Sequence, residues 1–350
     1  MQKKLIRATV ALVAVAGLLV TAAPSQAAEA GIKGGLKIAI MPKQINNGYF
    51  TAWAKGATTA CAEIGARCTY LGPTQATGAA QVQFINQIIQ KKYQVLVISA
   101  ADQNAIVPAL NRAKAAGITI VTSDADVDPA SASSRVTAVL PAESTRIGTA
   151  EIDWIAAATG GKGKIAVLSA AATAANQNAW IAAMGPYLTS KYPNMSWVGG
   201  SVDKSVFYGD DDATKSVAQF DAILSQYPDV AGIVAPTTVG VLASAQEKKA
   251  KHSSVKVTGL GLPSQMAPYI EDGTVEKVGL WNPIDLGYVA LYAAARAASG
   301  SFKGTVGSTF TAGKNSGSAK SYKVVPGGIT YLGDPFTFTK DNIATFKAIY

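Results

Sequence analysis

Histidine is almost missing from this chain: His252 is the only one in 350 residues, and cysteine stops at Cys61 and Cys68. Without a second imidazole or a thiol nearby, His252 cannot complete a nucleophilic triad or a histidine-built metal site, and two cysteines are too few for a structural zinc. No metal or other cofactor is expected. Charge is thin as well, at 15% of residues, although 31 basic against 22 acidic side chains leave +9. Only Lys248, Lys249 and Lys251 cluster, which suits a solvated helix end better than a nucleic-acid footprint. No G-x-S-x-G turn of a hydrolase is present. Beyond residue 23 there is no apolar run of the roughly 20 residues that a membrane helix needs.

The first 27 residues read as a secretory signal peptide. Lys3, Lys4 and Arg7 precede an apolar stretch over 8–23, and Ser25-Gln26-Ala27 offers small residues for cleavage. The alternative is a membrane anchor, for which the stretch is short. No cysteine follows it, so a lipid anchor is not indicated, and the mature protein is expected in the periplasm or outside the cell. Cleavage after Ala27 leaves 323 residues and a balance of +6, with 28 basic and 22 acidic side chains. That length favours two lobes over one core. The oxidising compartment permits a bridge between Cys61 and Cys68, which is the favoured reading, with two buried thiols as the alternative that the spacing leaves open.

Residues 36–57, LKIAIMPKQINNGYFTAWAKGA, organise the rest. Leu36, Ile38, Ile40 and Met41 are too continuously apolar for a strand with one wet face, so a parallel strand covered on both sides is predicted. A helix follows through Lys43, Gln44, Asn47, Tyr49 and Phe50, where α/β sheets collect ligands. Strands and helices alternate with short turns up to residue 122, and the alternation resumes from 142 to 298. The fold class is therefore α/β, with two doubly wound lobes. From 299 to 333 Gly, Ser, Thr and Lys dominate, which predicts loops and short strands.

Several motifs carry a plainer reading. The acids Asp124, Asp126 and Asp128 resemble a calcium loop, but Pro129 and Arg135 stand where that loop needs Gly and Glu. Asp124 instead closes a predicted strand and faces the same crevice as Lys43. The GGKGK at 160–164 precedes a strand rather than following one, so it is a turn, not a phosphate loop. Asp210, Asp211 and Asp212 stand before a helix and are assigned to capping. Asn176-Gln177, Pro236 with Thr238, and Trp281 complete the set of polar or aromatic groups at strand ends; Asn176 alone could be a helix cap, and Trp281 alone a core ring. Asp124 is then the only acid at those ends, which leaves a carboxylate-pair hydrolase without its second member.

With these residues in place, the chain resembles the type I periplasmic solute-binding proteins of ABC importers, in the branch of rhamnose-binding and autoinducer-2 (quorum-signal) proteins. The likeness rests on NNGYFTAWAKGA, YLGPTQATGAAQVQFINQII, ANQNAWIAAM, MAPYIEDGTVEKVGLWNPIDLGYVALYAA and FTKDNI. It implies two Rossmann-like lobes joined by a three-crossing hinge: 31–140 plus 283–320, and 141–282 plus 321–350. It also implies a small ligand caught between them and an ABC permease as partner, with the protein a monomer and not an enzyme. The charge of Lys43 balanced by that of Asp124 leaves the nominated pocket close to neutral, which suits a neutral ligand. By the same resemblance Lys43, Asn47, Tyr49, Phe50 and Asp124 bind ligand from the first lobe. Asn176, Gln177, Pro236 and Thr238 do so from the second, with Trp281 by the hinge. Asn176 and Ser123 replace the carboxylate and indole of signal receptors, which tilts the reading toward a rhamnose-like sugar or polyol. Gly261 replaces an acid of ribose binders.

Overall fold

The structure is a computed structural model and describes residues 31–313 and 320–350; the signal-peptide assignment lies outside the described residues. The first lobe opens with β1 (Lys37–Met41), α1 (Gly48–Glu63), β2 (Arg67–Tyr70), α2 (Gly78–Gln90), β3 (Val95–Ile98), α3 (Val107–Ala115), β4 (Thr119–Ser123) and β5 (Thr137–Leu140). Every residue of β3 is buried, and β1 is buried from Ile38 on. Helices covering both faces explain that continuous apolarity. All pairings in this sheet are parallel.

The second lobe runs through α4 (Ser144–Thr159), β6 (Gly163–Ser169), α5 (Ala175–Lys191), β7 (Met195–Trp197), β8 (Val206–Tyr208), α6 (Ala213–Gln226), β9 (Val230–Ala235), α7 (Thr238–Ala250), β10 (Lys256–Gly259), α8 (Pro263–Glu271) and β11 (Lys277–Leu280). Its sheet is ordered β10-β9-β6-β7, with β8 also on β6. Two short strands share one edge of β6, β7 on Gly163–Ile165 and β8 on Val167–Ser169.

The chain then returns to the first lobe as α9 (Pro283–Ala298), followed by β12 (Thr309–Ala312), β13 (Lys320–Lys323) and β14 (Ile329–Tyr331); β15 (Phe336–Thr339) and α10 (Ile343–Phe346) follow. Here one boundary needs correction. β14 pairs in parallel with β5, extending the first sheet to β14-β5-β4-β3-β1-β2, and only β15 joins β11. Residues 321–331 therefore stay with the first lobe, and the third crossing lies between β14 and β15. The other two fall between β5 and α4 and between β11 and α9.

α9 packs on α1 so closely that only glycine fits at two crossing points. A Cβ at Gly56 would collide with the Ile284 carbonyl, and one at Gly287 with the Trp53 carbonyl. Cys61 of α1 is bonded to Cys68 of β2, their Cα atoms 6.3 Å apart, inside the usual span for a cystine. Among the described residues no helix is long and apolar enough to cross a membrane.

Candidate functional site

The carboxyl ends of β1, β4, β6, β9 and β11 converge on a small cavity of about 40 Å3 between the lobes. From the first lobe Lys43, Asn47, Tyr49, Phe50 and Asp124 border it; from the second Asn176, Gln177, Pro236 and Thr238; from the second crossing Trp281. Convergence there follows from topology, since parallel strands connected by helices leave their carboxyl edges uncovered.

Each side chain is held by a local device. Asn47 caps α1, its Oδ1 accepting from Tyr49 N at 2.9 Å and Phe50 N at 3.4 Å. Its carbonyl is therefore engaged by the helix, and only its amide nitrogen is open to a ligand. Asp124 adopts φ 68° just past β4, a conformation that Asp tolerates better than most residues. That turn aims its carboxylate so that Oδ1 accepts from the Tyr49 hydroxyl and Oδ2 from the Ser99 hydroxyl, both at 2.7 Å. The Tyr49 hydroxyl accepts in turn from Trp281 Nε1 at 2.8 Å. Burial, with the adjoining Asp124 charge, pushes the Tyr49 phenol well above its ordinary range, so it stays a donor.

Two buried glutamines do similar work in the two lobes. Gln81 Nε2 donates to the carbonyls of Pro42 and Ser99 while its Oε1 accepts from Ala101 N, which ties the ends of β1 and β3 together. Gln177 Oε1 accepts from the Ser169 hydroxyl and Ala170 N, both at 2.8 Å, and so fixes α5 to the end of β6. Its amide nitrogen remains for a ligand. Asn176 is not a cap: Ala174 holds that position, and Asn176 Oδ1 accepts from Lys43 Nζ across the cavity at 3.0 Å. Trp281 is both core and lining, 3% exposed, and meets Tyr49 and Trp180 edge to face.

A family model described as a periplasmic binding protein domain matches residues 38–301. The chain belongs to this family. Among solved structures, the binding protein is 39% identical to a sugar ABC transporter from Actinomyces odontolyticus, over 89% of this chain and 97% of that one, with a TM-score of 0.69. It is 35% identical to an ABC transporter solute-binding protein from Clostridium phytofermentas with bound L-rhamnose, over 90% and 99%, at 0.83. It is 25% identical to LsrB from Clostridium saccharobutylicum in complex with AI-2, over 89% and 99%, at 0.80.

The cavity of the binding protein also has borders that sequence reasoning missed: Trp180, Asp211, Thr237, Leu260 and Leu280. Trp180 follows Asn176 by one helical turn, a spacing that could have signalled it. Leu260 and Leu280 sit at strand ends like the residues that were found. Asp211 is the substantive correction. Of the three consecutive acids, Asp212 does cap α6, accepting from Lys215 N at 2.8 Å, and Asp210 pairs with Lys215 outside at 2.8 Å. Asp211 alone turns inward, its carboxylate accepting from the Thr237 hydroxyl. Desolvation pushes its carboxyl up, Lys43 pulls it down, and Asp124 adds to the rise. Formal charges in the cavity are therefore one ammonium against two carboxylates, not the balanced pair read from the sequence. His252 lies exposed just past the far end of α7, about 20 Å from the end that meets the cavity at 1.5 Å per residue.

Proposed function

We propose that the protein captures a neutral monosaccharide, a rhamnose-like deoxyhexose or a related small sugar or polyol, between closing lobes and presents it to an ABC permease. On this reading it works outside the cytoplasm after removal of its signal peptide, as a monomer, without catalysing a reaction. One observation carries the reading: amide, ammonium and carboxylate groups border the same cavity as the rings of Tyr49, Phe50, Trp180 and Trp281. Polar groups of that kind serve hydroxyls, and rings cover the apolar face of a sugar or a deoxy methyl. The relative from Clostridium phytofermentas, at 35% identity with L-rhamnose bound, supports the choice of sugar. Asn176, where signal receptors carry a carboxylate, weighs against autoinducer-2.

The same geometry supports lobe closure, because a ligand touching both walls would favour the state in which both reach it. The test is a thermal-shift panel of neutral sugars, uronic acids and autoinducer-2, followed by calorimetry. A neutral deoxyhexose should give the largest shift, with a fall in radius of gyration in small-angle scattering. A preferred ligand bearing a carboxylate or phosphate, or a response to autoinducer-2 alone, would overturn the proposal.

A further inference from the structure

Resting on the sugar-binding reading, we propose that Asp211 is a second ligand-reading carboxylate, set opposite Asp124, and that it restricts the site to ligands offering hydroxyl donors to both lobes while rejecting acidic sugars. Its placement is specific. Asp210 and Asp211 take consecutive left-handed conformations, φ 54° and 51°, a run uncommon outside glycine even though single Asp residues tolerate the region. The effect is to separate three adjacent acids: one pairs with Lys215, one caps α6, and Asp211 enters the cavity.

Once there, Asp211 is fixed from two sides. The Thr237 hydroxyl donates to Oδ1, and α7 consequently starts without a side-chain cap from Thr237. Gln44 of the first lobe donates its Nε2 to the Asp211 carbonyl at 3.1 Å, so the residue is registered against the first lobe when the two meet. Its other carboxylate oxygen makes no hydrogen bond among the described residues. This contrasts with Asp124, both of whose oxygens already accept from protein hydroxyls. An ionised acceptor with an open lone pair at a ligand cavity suits a ligand O–H. A ligand carboxylate would be a third negative charge facing a single ammonium, Lys43, in a desolvated crevice.

The test compares L-rhamnose with D-galacturonate by calorimetry on the wild type, Asp211→Asn and Asp211→Ser. The wild type should bind L-rhamnose and reject D-galacturonate. Asp211→Asn should weaken L-rhamnose by about tenfold, as for loss of one charge-assisted hydrogen bond, and raise the galacturonate-to-rhamnose affinity ratio by about tenfold or more. Asp211→Ser, which also removes the charge, should move the ratio the same way, and it answers the question if the Asn variant does not fold. A merely structural role for Asp211 would lower the melting temperature and leave the ratio unchanged. An unchanged ratio in both variants of a rhamnose-binding protein overturns the role of Asp211 alone. A wild type that binds no sugar overturns the functional reading and this inference with it.

Discussion

On the first-lobe wall of the cavity, Asp124 holds two protein hydroxyls, Tyr49 takes the indole N–H of Trp281, and Asn47 is tied into its own helix cap. On the second-lobe wall, Asn176 finds its partner only in the opposite lobe, and Asp211 leaves an oxygen open. The carboxylate on the first wall is thus fully engaged by protein hydroxyls, whereas the one on the second wall, held by Thr237, keeps an acceptor oxygen for a ligand.

The strongest way to break this comparison is Asp124→Ala. On the proposed function it removes a ligand acceptor, and it releases both Tyr49 and Ser99, so binding of the best sugar should fall by about 2 to 4 kcal/mol, on the order of 30-fold to 1,000-fold. Calorimetry that finds unchanged affinity would deny the first wall its role. The cystine tests whether rigidity near that wall matters separately from chemistry. Replacing Cys61 and Cys68 by Ala should cost about 2 to 3 kcal/mol of stability in the chain-entropy picture, read by denaturant unfolding, with sugar affinity preserved because the bridge sits on the far end of α1.

A third probe lies in the second lobe. Glu151 of α4 is fully buried with both oxygens unpartnered among the described residues, and desolvation raises its carboxyl well above the usual range. Below the ordinary carboxylate pKa the group is neutral whether folded or not; as pH rises past it, only the unfolded chain ionises, so stability is lost until the folded carboxyl titrates as well. Glu151→Gln should remove that slope and gain about 1 to 2 kcal/mol at neutral pH relative to wild type, with little difference near pH 4. Parallel stability curves for the two proteins would refute it. The mildest effect belongs to Asn176→Ala, which deletes the link to Lys43 and should cost about 1 kcal/mol of ligand binding, roughly fivefold. Its unliganded melting temperature should hardly move, unlike that of Asp124→Ala; equal losses would erase the distinction between the walls.

The strand ends were legible because parallel strands are marked by uninterrupted apolar runs, as in Ile38 to Met41, and the polar residues just beyond them are then exposed by construction. What escaped depended on geometry absent from local pattern. Three aspartates before a helix read as caps, and only the left-handed turns at Asp210 and Asp211 decide which one faces inward. β5 and β14 are short, and their pairing joins Ala138 to Ile329, a long-range contact that neither segment announces. The Cys61–Cys68 bond could be permitted but not decided, since helix and strand had to bring the two Cα atoms to 6.3 Å.

Trp281 donates to Tyr49, and Tyr49 donates to Asp124, so an indole is wired to the carboxylate nominated to meet the ligand. Trp180 packs against that indole and borders the same cavity, which places two of the protein's five tryptophans there. On the proposed function, a ligand settling on Asp124 would change the electric field along this chain and the surroundings of both rings. Native ultraviolet emission thereby becomes an intrinsic gauge of occupancy, needing no dye and no label.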